Sequence, residues 1–137
     1  MTDKIRVLFV CTANAARSQI AEALLRYTNS ERFEVFSAGT QPKGVHPRTY
    51  EVLQHLSIDT SSLRSKSLDE FEGEQFDYVI TLCDKAAQEC QTLPGAGERL
   101  AWNFEDPAAS EKTDAFRHTL HEIHERIKMF VLVKTKH

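Results

Sequence analysis

Apolar residues change their spacing at a few sharp points along the chain, and those points divide it into alternating strands and helices. Val7-Leu8-Phe9-Val10 is an unbroken apolar run with two β-branched members. A run of that kind marks a strand buried on both faces, placed here at 4–10. From Arg17 the period lengthens, with Ile20, Ala23, Leu24 and Tyr27 at i, i+3, i+4 and i+7. This predicts a helix from 17 to about 29 with those four on its inner face. Residues 33–37 alternate loosely and read as a second strand, closed by a turn at Ala38-Gly39-Thr40. Pro47 suits the first position of a second helix, in which Thr49, Val52, Leu53 and Leu56 repeat the helical spacing. Residues 57–73 are polar and aperiodic, an irregular connection with at most one helical turn at 67–71.

A third strand is clear at 78–82 and is followed at once by Cys83. The next stretch, 84–94, could begin as helix, but Pro94, Gly95 and Gly97 dissolve it before a weak strand at 99–102. Phe116, Leu120, Ile123, Ile127 and Phe130 then form one apolar stripe, which predicts a final helix. Residues 131–137 carry no pattern. Strands alternating with helices imply an α/β domain spanning 1–137, with a four-stranded parallel sheet flanked by helices in Rossmann-like layers. Parallel strands end on one edge about 5 Å apart, so residues just beyond those ends converge on one crevice. Cys11, Cys83 and Asp106 all occupy such positions.

Composition narrows the class. A chain of 137 residues is expected to be one domain, and a net charge of -3 argues against a basic nucleic-acid binder. The first apolar run stops at Cys11 and is too short for a secretory signal, and Met129 onward is too short to span a bilayer. Three cysteines without the spacing of a disulfide scaffold point to a reducing compartment. The expectation is a cytoplasmic monomer with no nucleic-acid or membrane partner, no cofactor and no metal. Of the six histidines, His118, His121 and His124 wind around the last helix without converging and read as a solvated face; His46 and His55 have no evident partner. Trp102 and Phe104 read as core or crevice wall.

The candidate chemistry lies where the first strand gives way to the first helix. A strand-to-helix turn stacks backbone N–H groups at the positive end of a helix, an anion site. The amides of Thr12, Ala13, Asn14, Ala15, Ala16, Arg17 and Ser18 are therefore expected to cradle an oxyanion. Cys11 at its base should lose its proton easily to these amides, the Ser18 hydroxyl and Arg17, and act as nucleophile. The planar fork of Arg17 can hold two oxygens of a tetrahedral anion. A buried, inert thiol is the bland alternative for Cys11.

Cysteine, five residues, arginine and serine is the signature of the low-molecular-weight protein-tyrosine-phosphatase superfamily, and residues 11–18 resemble it. The resemblance implies that Asp106, rather than neighbouring Glu105, is the general acid that protonates the leaving oxygen. It also implies that Asn14 braces the loop, with Ser37 and Glu22 in the same polar network. Some relatives hold a monovalent cation in that network. Here Lys66 takes the place of the remaining acidic ligand; it is read as a solvated lysine in preference to an ammonium replacing the ion. The family's usual loop glycine is Ala13 and its second loop cysteine is Ala16, and neither change removes a backbone N–H.

Within the superfamily, Val79-Ile80-Thr81-Leu82-Cys83, then Cys90 and Leu93-Pro94, resembles the thioredoxin-coupled arsenate reductases. So do Ser37-Ala38-Gly39-Thr40, Arg64-Ser65-Lys66-Ser67 and the segment 102–108. Phosphatases need no thiols at 83 and 90, and they commonly follow the aspartate with Pro-Tyr, where this chain has Pro107-Ala108. The function implied is reduction of arsenate by a relay from Cys11 to Cys83 to Cys90, with thioredoxin as reductant. The alternative is a phosphatase acting on phosphotyrosine or another monoester through Cys11, Arg17 and Asp106. A non-catalytic oxyanion or redox sensor would not need Asp106. An unbroken helix over 83–90 would hold the two α-carbons about 10 Å apart, and a disulfide tolerates about 7 Å. The segment is therefore expected to be looped, or to unwind on oxidation and expose Cys90.

Overall fold

The computed structural model describes residues 4–83, 86, 96–110, 112 and 114–135. The order of elements is β1 (Ile5–Cys11), α1 (Arg17–Asn29), β2 (Phe33–Gly39), α2 (Pro47–His55), a 3-10 turn at Leu68–Phe71, β3 (Phe76–Thr81), β4 (Ala96–Ala101), a second 3-10 turn at Pro107–Ala109, and α3 (Ala115–Thr135). The strands form one parallel sheet in the order β2-β1-β3-β4. β1 is thus an inner strand, pairing Val7 with Val35 on one side and with Tyr78 on the other. The chain steps from β1 to β2 in one direction and then crosses back to β3. The carboxyl end of β1 therefore lies where strand order reverses, the crevice in which open α/β sheets bind ligands.

The run Val7 to Val10 is apolar throughout because both faces of β1 are covered. Val7, Phe9 and Cys11 face Ile20 and Leu24 of α1 and Leu120, Ile123, Ile127 and Phe130 of α3. Leu8 and Val10 face the opposite way, onto Ala38, Phe76 and Val79 with Phe36 and Phe71 at the margin. Burying each of these large side chains stabilises the fold by roughly 1.5–3 kcal/mol. Trp102 is core, its ring 6.0 Å from Phe9 and 5.6 Å from Phe130.

Several boundaries differ from the sequence expectation. β2 continues through Gly39, because β1 is paired as far as Cys11↔Gly39. β4 begins at Ala96, not 99, and Gly97 lies inside it; a Cβ there would come 3.0 Å from the Asp77 carbonyl oxygen, so this glycine serves close strand approach. Tyr27 is 62% exposed, and Leu56 caps α2 with 43% exposure, so neither reaches the core. α3 continues to Thr135, beyond the patternless point at 131, since helix propagates readily once formed. Leu132 and Val133 stay exposed on it, which is why periodicity gave no sign of it. His46 does have partners: its Nδ1 accepts from Arg48 N–H at the start of α2, and its ring lies 4.8 Å from Phe116. His118 and His121 are exposed, and no group of three metal-ligating side chains occurs among the described residues. No described helix is long and apolar enough to cross a membrane.

Candidate active site

Between Cys11 and Arg17 the chain turns from strand to helix by placing Asn14 at φ 49°, in the left-handed region that asparagine tolerates better than most residues. Each carbonyl of the turn is drawn outward by a donor from elsewhere. Cys11 O accepts from Thr40 N at 3.3 Å, Thr12 O from Gln41 N at 2.8 Å and Ala13 O from Lys43 N at 3.0 Å. Asn14 O accepts from Gln19 Nε2 at 3.0 Å, and Ala15 O from both His46 N and the Thr49 hydroxyl. Because a trans peptide is planar, with N–H opposed to C=O, the N–H groups of Thr12 to Ala16 are turned away from these donors, as a concave anion nest requires. α1 then begins on the cationic Arg17, with Ala16 at its N-cap giving no side-chain bond and no acidic residue in its first turn. All of this disfavours an isolated helix and favours an anion at its end.

A buried polar chain supports the nest from behind. Cys11 Sγ lies 2.9 Å from Ser18 Oγ. Asn14 Nδ2 donates to Ser18 Oγ at 2.7 Å and to Ser37 Oγ at 3.1 Å, and Ser37 donates to Glu22 Oε1 at 2.6 Å. Asn14 is oriented by its other end, where Oδ1 accepts from Gln19 Nε2 and from Lys66 N. Both amide hydrogens of Asn14 point at serines, and the Ser18 hydroxyl shares a hydrogen bond with the sulfur of Cys11.

Arg17 and Asp106 form the opposite wall. Trp102 N–H donates to Thr81 O and Phe104 N–H to Leu82 O, which carries the segment after β4 over the end of β3. Arg17 Nη1 donates to Phe104 O at 3.0 Å, and Nη2 lies 3.8 Å from Asp106 Oδ2. Asp106 Oδ1 accepts from Ala108 N–H, so its carboxyl is held by the turn that follows it. Among the described residues, Asp106 and not Glu105 is the acid paired with Arg17.

Cys83 follows β3 on the same edge as Cys11, with Leu82 N–H donating to Val10 O at 2.9 Å. Its Sγ is 3.6 Å from the hydroxyl of Thr12, the residue after Cys11, and both thiols are free. Cys90 and the expected behaviour of the 83–90 segment lie outside the described residues. Sequence reasoning missed four supports of the loop: Gln19, Thr49, Ser65 and Gly39. Gln19 and Thr49 are polar residues buried on helices; Ser65 and Gly39 lie in stretches singled out by resemblance, which did not say that they support the loop.

Lys66 requires correction. Its side chain is 9% exposed, with Nζ donating to Arg64 O at 2.8 Å and lying 3.5 Å from Glu22 Oε1. It is therefore a buried member of the network and not a solvated lysine. Burial pushes its ammonium below the usual lysine value, with the Glu22 carboxylate pulling it back up.

The family profile of the low molecular weight phosphotyrosine protein phosphatases matches residues 6–136. Curated relatives include an arsenate reductase of Halalkalibacterium halodurans, 37% identical over 90% of this chain and 93% of that protein. Another is arsenate reductase 1 of Staphylococcus saprophyticus, 38% identical over 95% and 98%. Among solved structures, a thioredoxin-dependent arsenate reductase of Corynebacterium glutamicum is 34% identical over 94% of this chain and 61% of that one, with a TM-score of 0.74. An arsenate reductase in a phosphate-bound state superposes with a TM-score of 0.80 at 27% identity, over 93% of this chain and 96% of that one. Because that profile matches nearly the whole chain, the chain belongs to the low molecular weight phosphotyrosine protein phosphatase family.

Proposed function

We propose that this chain is an arsenate reductase whose thiol relay is regenerated by thioredoxin. One observation carries the reading: a second free thiol, Cys83, sits beside the loop that holds the first, 3.6 Å from Thr12. A phosphatase has no use for it.

Arsenate is a tetrahedral oxyanion and fits a nest built for phosphate. The amides of Thr12 to Ala16 and the Arg17 fork hold its oxygens. Cys11 thiolate attacks arsenic, and one oxygen leaves as water after taking a proton from Asp106, giving a sulfur–arsenic(V) bond. Cys83 thiolate then attacks Cys11 Sγ. The sulfur–arsenic bond breaks with its electron pair remaining on arsenic, so arsenite, As(III), departs and a Cys11–Cys83 disulfide remains. Cys90 attacks Cys83, returning Cys11 as thiolate and moving the disulfide to Cys83–Cys90. Two electrons have passed from two thiols to arsenic, and the dithiol of thioredoxin restores them. The similarity to a thioredoxin-dependent arsenate reductase supports this choice of reductant.

The test is NADPH consumption with arsenate, thioredoxin and thioredoxin reductase. Wild type turns over; Cys83→Ser and Cys90→Ser each stop turnover. An enzyme indifferent to both substitutions that hydrolyses p-nitrophenyl phosphate briskly is a phosphatase, and the proposal then fails. Weak phosphatase activity alongside reduction is expected, since one nest serves both anions.

A further inference from the structure

Lys66 touches the polar chain behind Cys11 at two points, the Asn14 carboxamide at its middle and Glu22 at its far end. Its backbone N–H fixes the Asn14 carboxamide at 2.8 Å, and its ammonium lies 3.5 Å from Glu22 Oε1. The same Glu22 oxygen accepts from Ser37. Glu22 has a side chain only 4% exposed, and its other oxygen is paired with Arg26, whose own side chain is 40% exposed. A carboxylate so deeply placed is costly unless its charge is matched nearby. The ammonium supplies that match from inside the protein.

We infer that Lys66 is a positioning residue for Cys11: its internal ammonium holds the Glu22 side chain in place, and through Ser37, Asn14 and Ser18 fixes the proton that faces the nucleophilic sulfur. This rests on the reading of Cys11 as nucleophile, and it adds a role for a residue that contacts neither substrate nor sulfur. With Glu22 anionic, the Ser37 proton is committed to it, so Ser37 can only accept from Asn14. Asn14, held at Oδ1 by Lys66 N and Gln19, then gives its second hydrogen to Ser18, and Ser18 donates to Cys11. Without the ammonium, Glu22 is left to its bond with the partly exposed Arg26 and is drawn toward solvent, Ser37 is released, and the direction of every bond in the chain becomes negotiable. A recess of about 400 Å³ lined by Arg26, Arg64, Glu70 and Glu74 reaches Glu22 and Lys66 from solvent, so a small cation can enter if the side chain is cut back.

The experiment is the rate of Cys11 alkylation by iodoacetamide at pH 7, followed by mass spectrometry in a Cys83→Ser/Cys90→Ser background where Cys11 is the sole thiol. This readout needs no arsenate turnover, so it stands apart from the fate of the reductase reading. Lys66→Met keeps the backbone bond and the bulk and removes the charge. It is expected to slow alkylation by up to about fifteenfold, the effect of one charge over a path on the order of 10 Å at an effective dielectric of ~20. Lys66→Arg retains most of the rate. In Lys66→Ala, ammonium chloride restores the rate in a saturable way, whereas tetramethylammonium at equal ionic strength does not. Thermal melting monitors the fold, and Lys66→Gln replaces Lys66→Met should the latter not fold. Unchanged alkylation in a folded, uncharged variant overturns the inference. So does equal slowing in the Met and Arg variants with no response to ammonium, since that pattern reports packing alone.

Discussion

Gly39→Ala isolates how tightly the sheet grips the anion nest. Gly39 ends β2, and a Cβ on it would lie 2.6 Å from Thr12 O and 3.0 Å from both Asn14 Cβ and Asn14 N. Carbon and oxygen normally approach to about 3.3–3.6 Å, so the loop would have to retreat by roughly 0.5–1 Å. No flexible tip can yield instead: Thr12 O is bonded to Gln41 N at 2.8 Å, and Asn14 is fixed by four side-chain and backbone partners. Gly39 does not have a positive φ, so space alone is at issue. Overpacking of this kind costs about 1–3 kcal/mol, and each kcal/mol lowers Tm by about 3–5 °C in a chain of this size. A nest displaced by 1 Å loses up to about a hundredfold in kcat/KM. Differential scanning fluorimetry with and without phosphate reads both effects, because a ligand of the native state raises Tm with its occupancy. The expected result is a lower Tm and a phosphate-induced shift that shrinks or vanishes. A variant that keeps the wild-type Tm and the full phosphate shift refutes the argument.

Other substitutions address other walls of the site. Arg17→Lys keeps the charge but loses the two-pronged fork and the bond to Phe104 O; phosphate affinity is expected to fall about 10- to 100-fold by titration calorimetry, with little change in Tm. Asp106→Asn removes the proposed proton donor, and single-turnover formation of the sulfur–arsenic adduct should slow by ~10²–10⁴ while phosphate still binds. Burial, aided by Lys128, lowers the His124 pKa below its ordinary 6.5. The unfolded chain then binds more protons at that site just below pH 6.5, so stability rises with pH through this window and is lost on acidification. His124→Gln should flatten that acid slope in urea melts at pH 5 to 7, and an unaltered slope counts against it.

How far the sequence could be read depended on whether a residue's role lies in its own neighbourhood or in contacts from afar. The parallel sheet, the loop and the convergence of Cys11, Cys83 and Asp106 were legible because each follows from a local pattern plus one rule, that parallel strands end together. Tyr27 and Leu56 fit a helical period yet lie outside the core, since period fixes a face and not whether anything covers it. Residues 132–135 show the converse, a helix that runs on with Leu132 and Val133 exposed and so leaves no apolar pattern. Gly97 looked like a breaker and is a close-approach residue inside β4, a role set by Asp77 on the neighbouring strand. Lys66 is the clearest case. By composition and setting it is a surface lysine in a polar connection, and base expectation favours solvent for such a side chain. What buries it is Glu22 from α1, held in turn by Ser37 from β2, and the three meet only because β2 and the 57–73 connection both close on the loop. A buried charge can be recognised from sequence only when its counter-charge is recognised with it. Here the counter-charge sits on the helix that the Cys11 loop begins, which is why a stretch that shows no period closes on that loop.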